Sequence, residues 1–96
     1  MFVVHLTYVK PLDVVDAYLA AHREFLAQHT EAGVFILAGR RVPRTGGVIL
    51  AQGVSRESLM EILHQDPFHL QGIVRHEVVE FQANIAIPPL SFLVKA

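Results

Sequence analysis

The sequence predicts an α+β fold: one antiparallel sheet of four strands, with two helices laid across a single face. Three observations predict it. Short apolar runs with a two-residue period alternate with segments whose apolar residues recur every three or four positions. These segments follow in the order β-α-β-β-α-β. The chain is also more apolar than a domain of 96 residues requires. The hydrophobic residue types make up 52% of it. Exchanging the two tyrosines for the six glycines, to match the usual tally, raises that share further, against about 45–50% in typical domains. Small domains have a large surface fraction, so the excess implies a second buried face, most simply a subunit interface.

Residues 2–9 read as the first strand, with Phe2, Val4, Leu6 and Tyr8 on one face and Val3, His5, Thr7 and Val9 on the other. Pro11 suits a helix start, and Asp13 and Asp16 occupy the first turns. Leu12, Val15, Leu19, His22, Leu26 and His29 then recur with the period of one amphipathic helix. Gly33 is placed to end it as the C′ glycine after Ala32. Residues 34–38 form a continuous apolar strand, 39–47 a loop rich in arginine and glycine, and 48–52 the returning strand of a hairpin. Ser55 is an N-cap with Glu57 in the first turn, and Leu59, Ile62 and Leu63 give the second helix its apolar face. Asp66-Pro67 stops that helix, because the residue before proline is pushed out of the helical region. Residues 68–72 make a turn or a single helical turn, and 73–81 the last strand.

This order is the ferredoxin-like split βαβ pattern. It puts both helices on one sheet face and leaves the other bare, so two chains packed sheet to sheet would bury it. A homodimer or higher homo-oligomer is therefore expected. The chain reads as a single domain over 1–96, with a core at about 2–81 and an apolar tail at 82–96. That tail carries Pro88-Pro89 and then Leu90, Phe92, Leu93 and Val94. It is expected to lie against the sheet edge or a partner subunit, since an apolar tail in solvent is a liability.

Bulk properties exclude several classes. There is no cysteine, hence no disulfide framework and no thiolate chemistry. Eight basic and nine acidic residues give a net charge of −1, and no basic stripe follows any element, so nucleic acid is not an expected partner. No apolar run reaches the roughly 18 residues of a membrane span. The first five residues lack the basic region of a secretory leader. A cytoplasmic location is the expectation.

His22 stands out, because it is a titratable ring on an apolar helical stripe. A buried imidazole needs a partner, and Asp13, Asp16 and Asp66 are the only aspartates. The first two belong to the start of the same helix, which leaves Asp66 as the long-range candidate. A His–Asp pair is a unit of proton-transfer chemistry. Each residue also has a purely structural reading: His22 as a core histidine bonded to a carbonyl, and Asp66 as the cap of a short helix with proline at N1. Spacing does not decide between them.

Arg40, Arg41 and Arg44 can recognise an anionic substrate bidentately or simply be solvated. The six histidines show no metal-binding spacing: His64, His69 and His76 are five and seven apart, and His22 and His29 are two helical turns apart. His5 reads as lining a pocket or an interface. There is no nucleophile elbow and no dinucleotide fingerprint, so neither a metal nor a cofactor is expected.

Several short motifs carry a resemblance. A helical histidine, His22, is followed by Glu31-Ala32-Gly33 and by a strand ending Ala38-Gly39. A strand opening on glycine comes next, then Ser55-Arg56-Glu57-Ser58, Asp66-Pro67-Phe68 and a last strand ending at Phe81. Over about residues 2–81 this order resembles the YCII-related domain family. The resemblance implies a ferredoxin-like domain that dimerises into an α+β barrel, with a histidine–aspartate pocket matching His22 and Asp66. Related members include a dehydrochlorinase of a chlorinated hydroxyquinol, and the wider superfamily includes muconolactone isomerases. The function so implied is a lyase or isomerase moving a proton on a small organic substrate, aromatic or enol-type. In it His22 and Asp66 are catalytic, and His5, Arg40 and Phe68 contact substrate. The alternative is a non-catalytic ligand-binding or assembly module with the same pocket. A purely structural dimer would have no cavity near His22. Two features depart from the family pattern: Arg40 follows Gly39 where the family usually has proline, which alters the pocket rim, and the tail after Phe81 does not map onto the family core.

Overall fold

The computed structural model describes residues 1–94. β1 (Phe2–Tyr8) is followed by α1 (Leu12–Ala17), α2 (Leu19–Glu31), β2 (Phe35–Arg40), β3 (Gly46–Ala51), α3 (Arg56–Leu63), α4 (Pro67–Leu70) and β4 (Val74–Glu80). The sheet is antiparallel throughout, in the order β2-β3-β1-β4. This is the ferredoxin-like arrangement that the segment order implies.

Alternation along β1 sorts its residues between two faces. Phe2, Val4 and Leu6 are buried beneath the helices, with Ile49 and Ala51 of β3 beside them. Val15, Phe25, Phe35, Leu59, Leu63, Phe68 and Ile73 complete the core. Val3, His5 and Thr7 face the other way. Their cross-strand neighbours there are Leu50, Val48 and Gly46 on β3, and Val79, Glu77 and Arg75 on β4. No described helix covers this second face, and Leu37 and Val79 on it are 65% and 46% exposed.

Four details depart from the sequence reading. The first predicted helix is two, because Tyr18 leaves helical geometry at φ −112° and ψ 6°. No proline or glycine marks that break in the sequence. Leu12, assigned to the apolar stripe, is 46% exposed, whereas Phe25, outside it, is buried. The hairpin loop spans only 41–45, since Arg40 pairs with Gly47 and Gly46 already pairs with Thr7. Gly46 serves as a strand residue because a Cβ there would come within 1.8 Å of the Leu6 carbonyl oxygen.

The tail differs most. A 3₁₀ turn forms at Pro88–Leu93, but Ile85, Ile87 and Phe92 are 94%, 64% and 63% exposed. The expected packing against the sheet edge is absent among the described residues. Val94 closes a local turn by donating to Ser91. Residues 95–96 of the predicted tail lie outside the described residues.

Candidate active site

The site starts from the end of α3. His64 caps that helix, and the chain reaches Asp66 in extended geometry with Pro67 in the first turn of α4. Asp66 is fully buried. Its Oδ1 accepts the Phe68 backbone N–H at 2.9 Å, the N-cap bond that the Asp-Pro pattern implies. The same oxygen lies 2.8 Å from His22 Nδ1. The capping and pairing roles therefore coexist on one carboxylate oxygen. Oδ2 is buried and has no protein partner.

α2 holds His22 on its inward face, as the three-and-four spacing requires. The imidazole stacks on the Phe68 ring, with centroids 4.0 Å apart and planes within 8°. The Asp66 bond and this stack fix both the tilt and the rotation of the ring. With Nδ1 engaged, Nε2 is the nitrogen left for chemistry. Toward an ionised carboxylate, which only accepts, a neutral ring donates from Nδ1 and keeps a lone pair on Nε2.

His22 opens onto a cavity of about 360 Å³. Leu6 and Tyr8 of β1, Leu19 and Leu26 of α2, and Phe68 of α4 give it an apolar lining. Ala38, Gly39, Gly46 and Gly47 make a wall with almost no side chains. Arg23, Arg40, Arg44 and Asp16 supply the charge. The size suits a single-ring molecule, at the lower end of the usual range for small-ligand sites.

The structure therefore brings His22, Asp66, Arg40 and Phe68 to one place. His5 is not among the lining residues. It sits on the odd-numbered side of β1, opposite Val48 and Glu77, on the sheet face away from the helices. The alternation of the strand turns it away from this cavity. The arginine cluster also divides. Arg40 and Arg44 line the cavity, whereas Arg41 donates to Thr7 Oγ1 at 3.0 Å. Arg44 pairs with Asp16, and that bond, helped by Tyr8, holds its pKa above the ordinary value.

Arg23, Tyr8 and the Asp16–Arg44 pair are lining features that the sequence reading missed. Arg23 had a usable signal: it follows His22, and one residue step turns about 100° around a helix, to the rim of the apolar stripe. The Asp16–Arg44 contact spans 28 residues and leaves no local signature.

Behind the pair, His64, His69 and His76 stack in sequence, with centroids 4.6 and 5.3 Å apart. His76 Nε2 is buried without a protein partner. Burial pushes the His76 imidazole below its ordinary value, against the opposing pull of Asp66, and His69 and His64 add to the lowering. Among the described residues, no group of three or more His, Asp or Glu side chains is arranged to hold a metal ion. No described helix is long and apolar enough to cross a membrane.

No curated protein matches the sequence. Among solved structures, the fold is similar to 5-chloro-2-hydroxyhydroquinone dehydrochlorinase from Burkholderia phenoliruptrix AC1100 in complex with 2,5-dihydroxybenzoquinone. The TM-score is 0.69 at 18% identity, covering 85% of this chain and 94% of that one. At that identity the likeness is one of fold. The sequence model of the YCII-related domain matches residues 1–82, which leaves the tail outside it and makes this chain a member of the YCII-related domain family.

Proposed function

We propose that this protein is a small enzyme in which His22, held by Asp66, transfers a proton to or from a small aromatic or enol-type substrate in a lyase or isomerase reaction. The observation that carries the reading is the 2.8 Å bond between His22 Nδ1 and Asp66 Oδ1, made by an imidazole that also lines a ring-sized cavity. Asp66 orients the ring and stabilises the imidazolium formed when Nε2 takes a proton. In an isomerisation the same nitrogen returns that proton elsewhere on the substrate; in an elimination the leaving group departs with its bonding electrons, and the proton passes to it or to solvent. Phe68 positions the imidazole by stacking, and Arg40 meets the substrate at the rim. The dehydrochlorinase of similar fold, whose complex holds a quinone, adds support for a cyclic substrate. We place the enzyme in the cytoplasm as a homodimer that covers the helix-free sheet face.

The test is a turnover screen over halogenated hydroquinones and enol lactones. The expected result is turnover of at least one compound, with kcat reduced about 100-fold or more in His22→Gln, the usual scale of general acid–base catalysis. Asp66→Asn should reduce it less. Turnover that survives His22→Gln unchanged contradicts the reading. Binding without turnover of any compound favours the second reading, a ligand-binding module, which the same cavity supports.

A further inference from the structure

The cavity has a charge bias that a proton-transfer pair does not need. The chain as a whole is slightly acidic, with a net charge of −1. Yet Arg23, Arg40 and Arg44 all line this one cavity, and Asp16 is the only acidic residue that does. Asp16 is already paired with Arg44. Neither Arg23 nor Arg40 has a carboxylate within ion-pair distance among the described residues. The two cations come from different elements, Arg23 from α2 beside His22 and Arg40 from the end of β2. The stretch of wall next to Arg40 carries almost no side chains, being lined by Ala38, Gly39, Gly46 and Gly47.

Surface arginines without partners are ordinary when scattered. Two lining the same cavity are a different case, because a guanidinium presents a planar fork that matches a carboxylate or a delocalised oxyanion. The remaining lining, Leu6, Leu19, Leu26 and Phe68, suits an uncharged ring.

Building on the proton-transfer reading above, we infer that the substrate is an anionic ring compound, whose carboxylate or ionised enol oxygen is held by Arg23 and Arg40 while its ring lies against the apolar lining beside His22. Arg44 takes no direct part in this clamp; its pairing with Asp16 pins the loop that follows Arg40.

The experiment compares two probes with the same ring, 2,5-dihydroxybenzoate and 2,5-dihydroxybenzamide, by amide chemical-shift titration of the full chain. The carboxylate should bind about tenfold or more tightly than the amide, the scale of one charge-assisted hydrogen bond. It should shift cavity residues, and the preference should shrink as salt rises. In the Arg23→Gln/Arg40→Gln double variant the two probes should bind alike; both positions are exposed, so the fold is retained. Arg56→Gln, an exposed arginine outside the cavity, should leave the preference intact. A carboxylate that binds no better than the amide, including the case where neither binds at millimolar concentration, overturns the inference. So does a preference that persists in the double variant. Repeating the titration with His22→Gln separates this from the catalytic reading, because the clamp should still select the carboxylate there whatever becomes of turnover.

Discussion

At the scale of the residue, Asp66 carries two obligations on one oxygen. It caps α4 through the Phe68 N–H and holds His22 Nδ1. Asp66→Ala removes both bonds and leaves a buried imidazole unpaired, so it should cost about 2–4 kcal/mol in urea denaturation, a cap plus a charge-assisted bond. Asp66→Asn keeps an acceptor for both and should cost less. Equal losses in the two variants would contradict this order and mean that a neutral acceptor cannot stand in for the carboxylate. His76 sets a pH dependence. Burial lowers its folded pKa below 6.5, so between the two values the unfolded chain binds more protons than the folded one. The stability contributed by neutral His76 is complete above about pH 6.5 and is lost as pH falls through the folded value. The urea midpoint should drop between about pH 7.5 and pH 5.5, and His76→Phe should flatten that drop. A slope unchanged in the variant assigns it to other groups. The inward placement of His22 was legible, because helical spacing is local information. Its bond to Asp66 was reached by elimination among three aspartates and by the family resemblance, not by spacing, because 44 residues separate them and Asp-Pro is already explained as a cap.

At the scale of the element, what was legible was what local chemistry encodes. Ser55 caps α3 through the Ser58 N–H, and Gly33 follows the end of α2 at φ +79°, both as the sequence implied. Breaks made by tertiary fit were not legible, as at Tyr18 and in the pairing that draws Gly46 into β3. The close approach at Gly46 gives a prediction. Gly46→Ala would put a methyl group 1.8 Å from the Leu6 carbonyl oxygen, so the central β1–β3 pairing must shift. The expected cost is about 2 kcal/mol or more in thermal or urea unfolding, beyond the effect of an ordinary surface substitution. Gly53→Ala meets no atom within 4 Å but sits at φ +77°, and should cost about 1 kcal/mol. A Gly46 variant no less stable than the Gly53 variant would contradict the packing described.

At the scale of the whole molecule, the apolar excess in the composition has two locations: the helix-free sheet face and the tail. The first was inferred from segment order, since both crossovers of a split βαβ unit fall on one side. The second was legible as apolar sequence, but its course was not, because no period or cap ties residues 82–94 to a surface. If the helix-free face is the subunit interface, Val48→Lys should turn a dimer into a monomer in light-scattering mass measurements, since a lysine there would lie in the interface beside His5 and Gly39. A wild-type chain that is monomeric at micromolar concentration would contradict the dimer.

The most direct measurement of the central claim is the protonation pattern of His22. In two-bond ¹H–¹⁵N correlation spectra of histidine-labelled protein, above the usual imidazole range at about pH 8, the account predicts a proton on Nδ1 and a bare Nε2. It also predicts that Asp66→Ala, which removes the acceptor, disturbs this pattern and that a cavity ligand perturbs Nε2. A neutral His22 with its proton on Nε2, or one whose pattern is the same with and without the Asp66 carboxylate, would contradict the dyad.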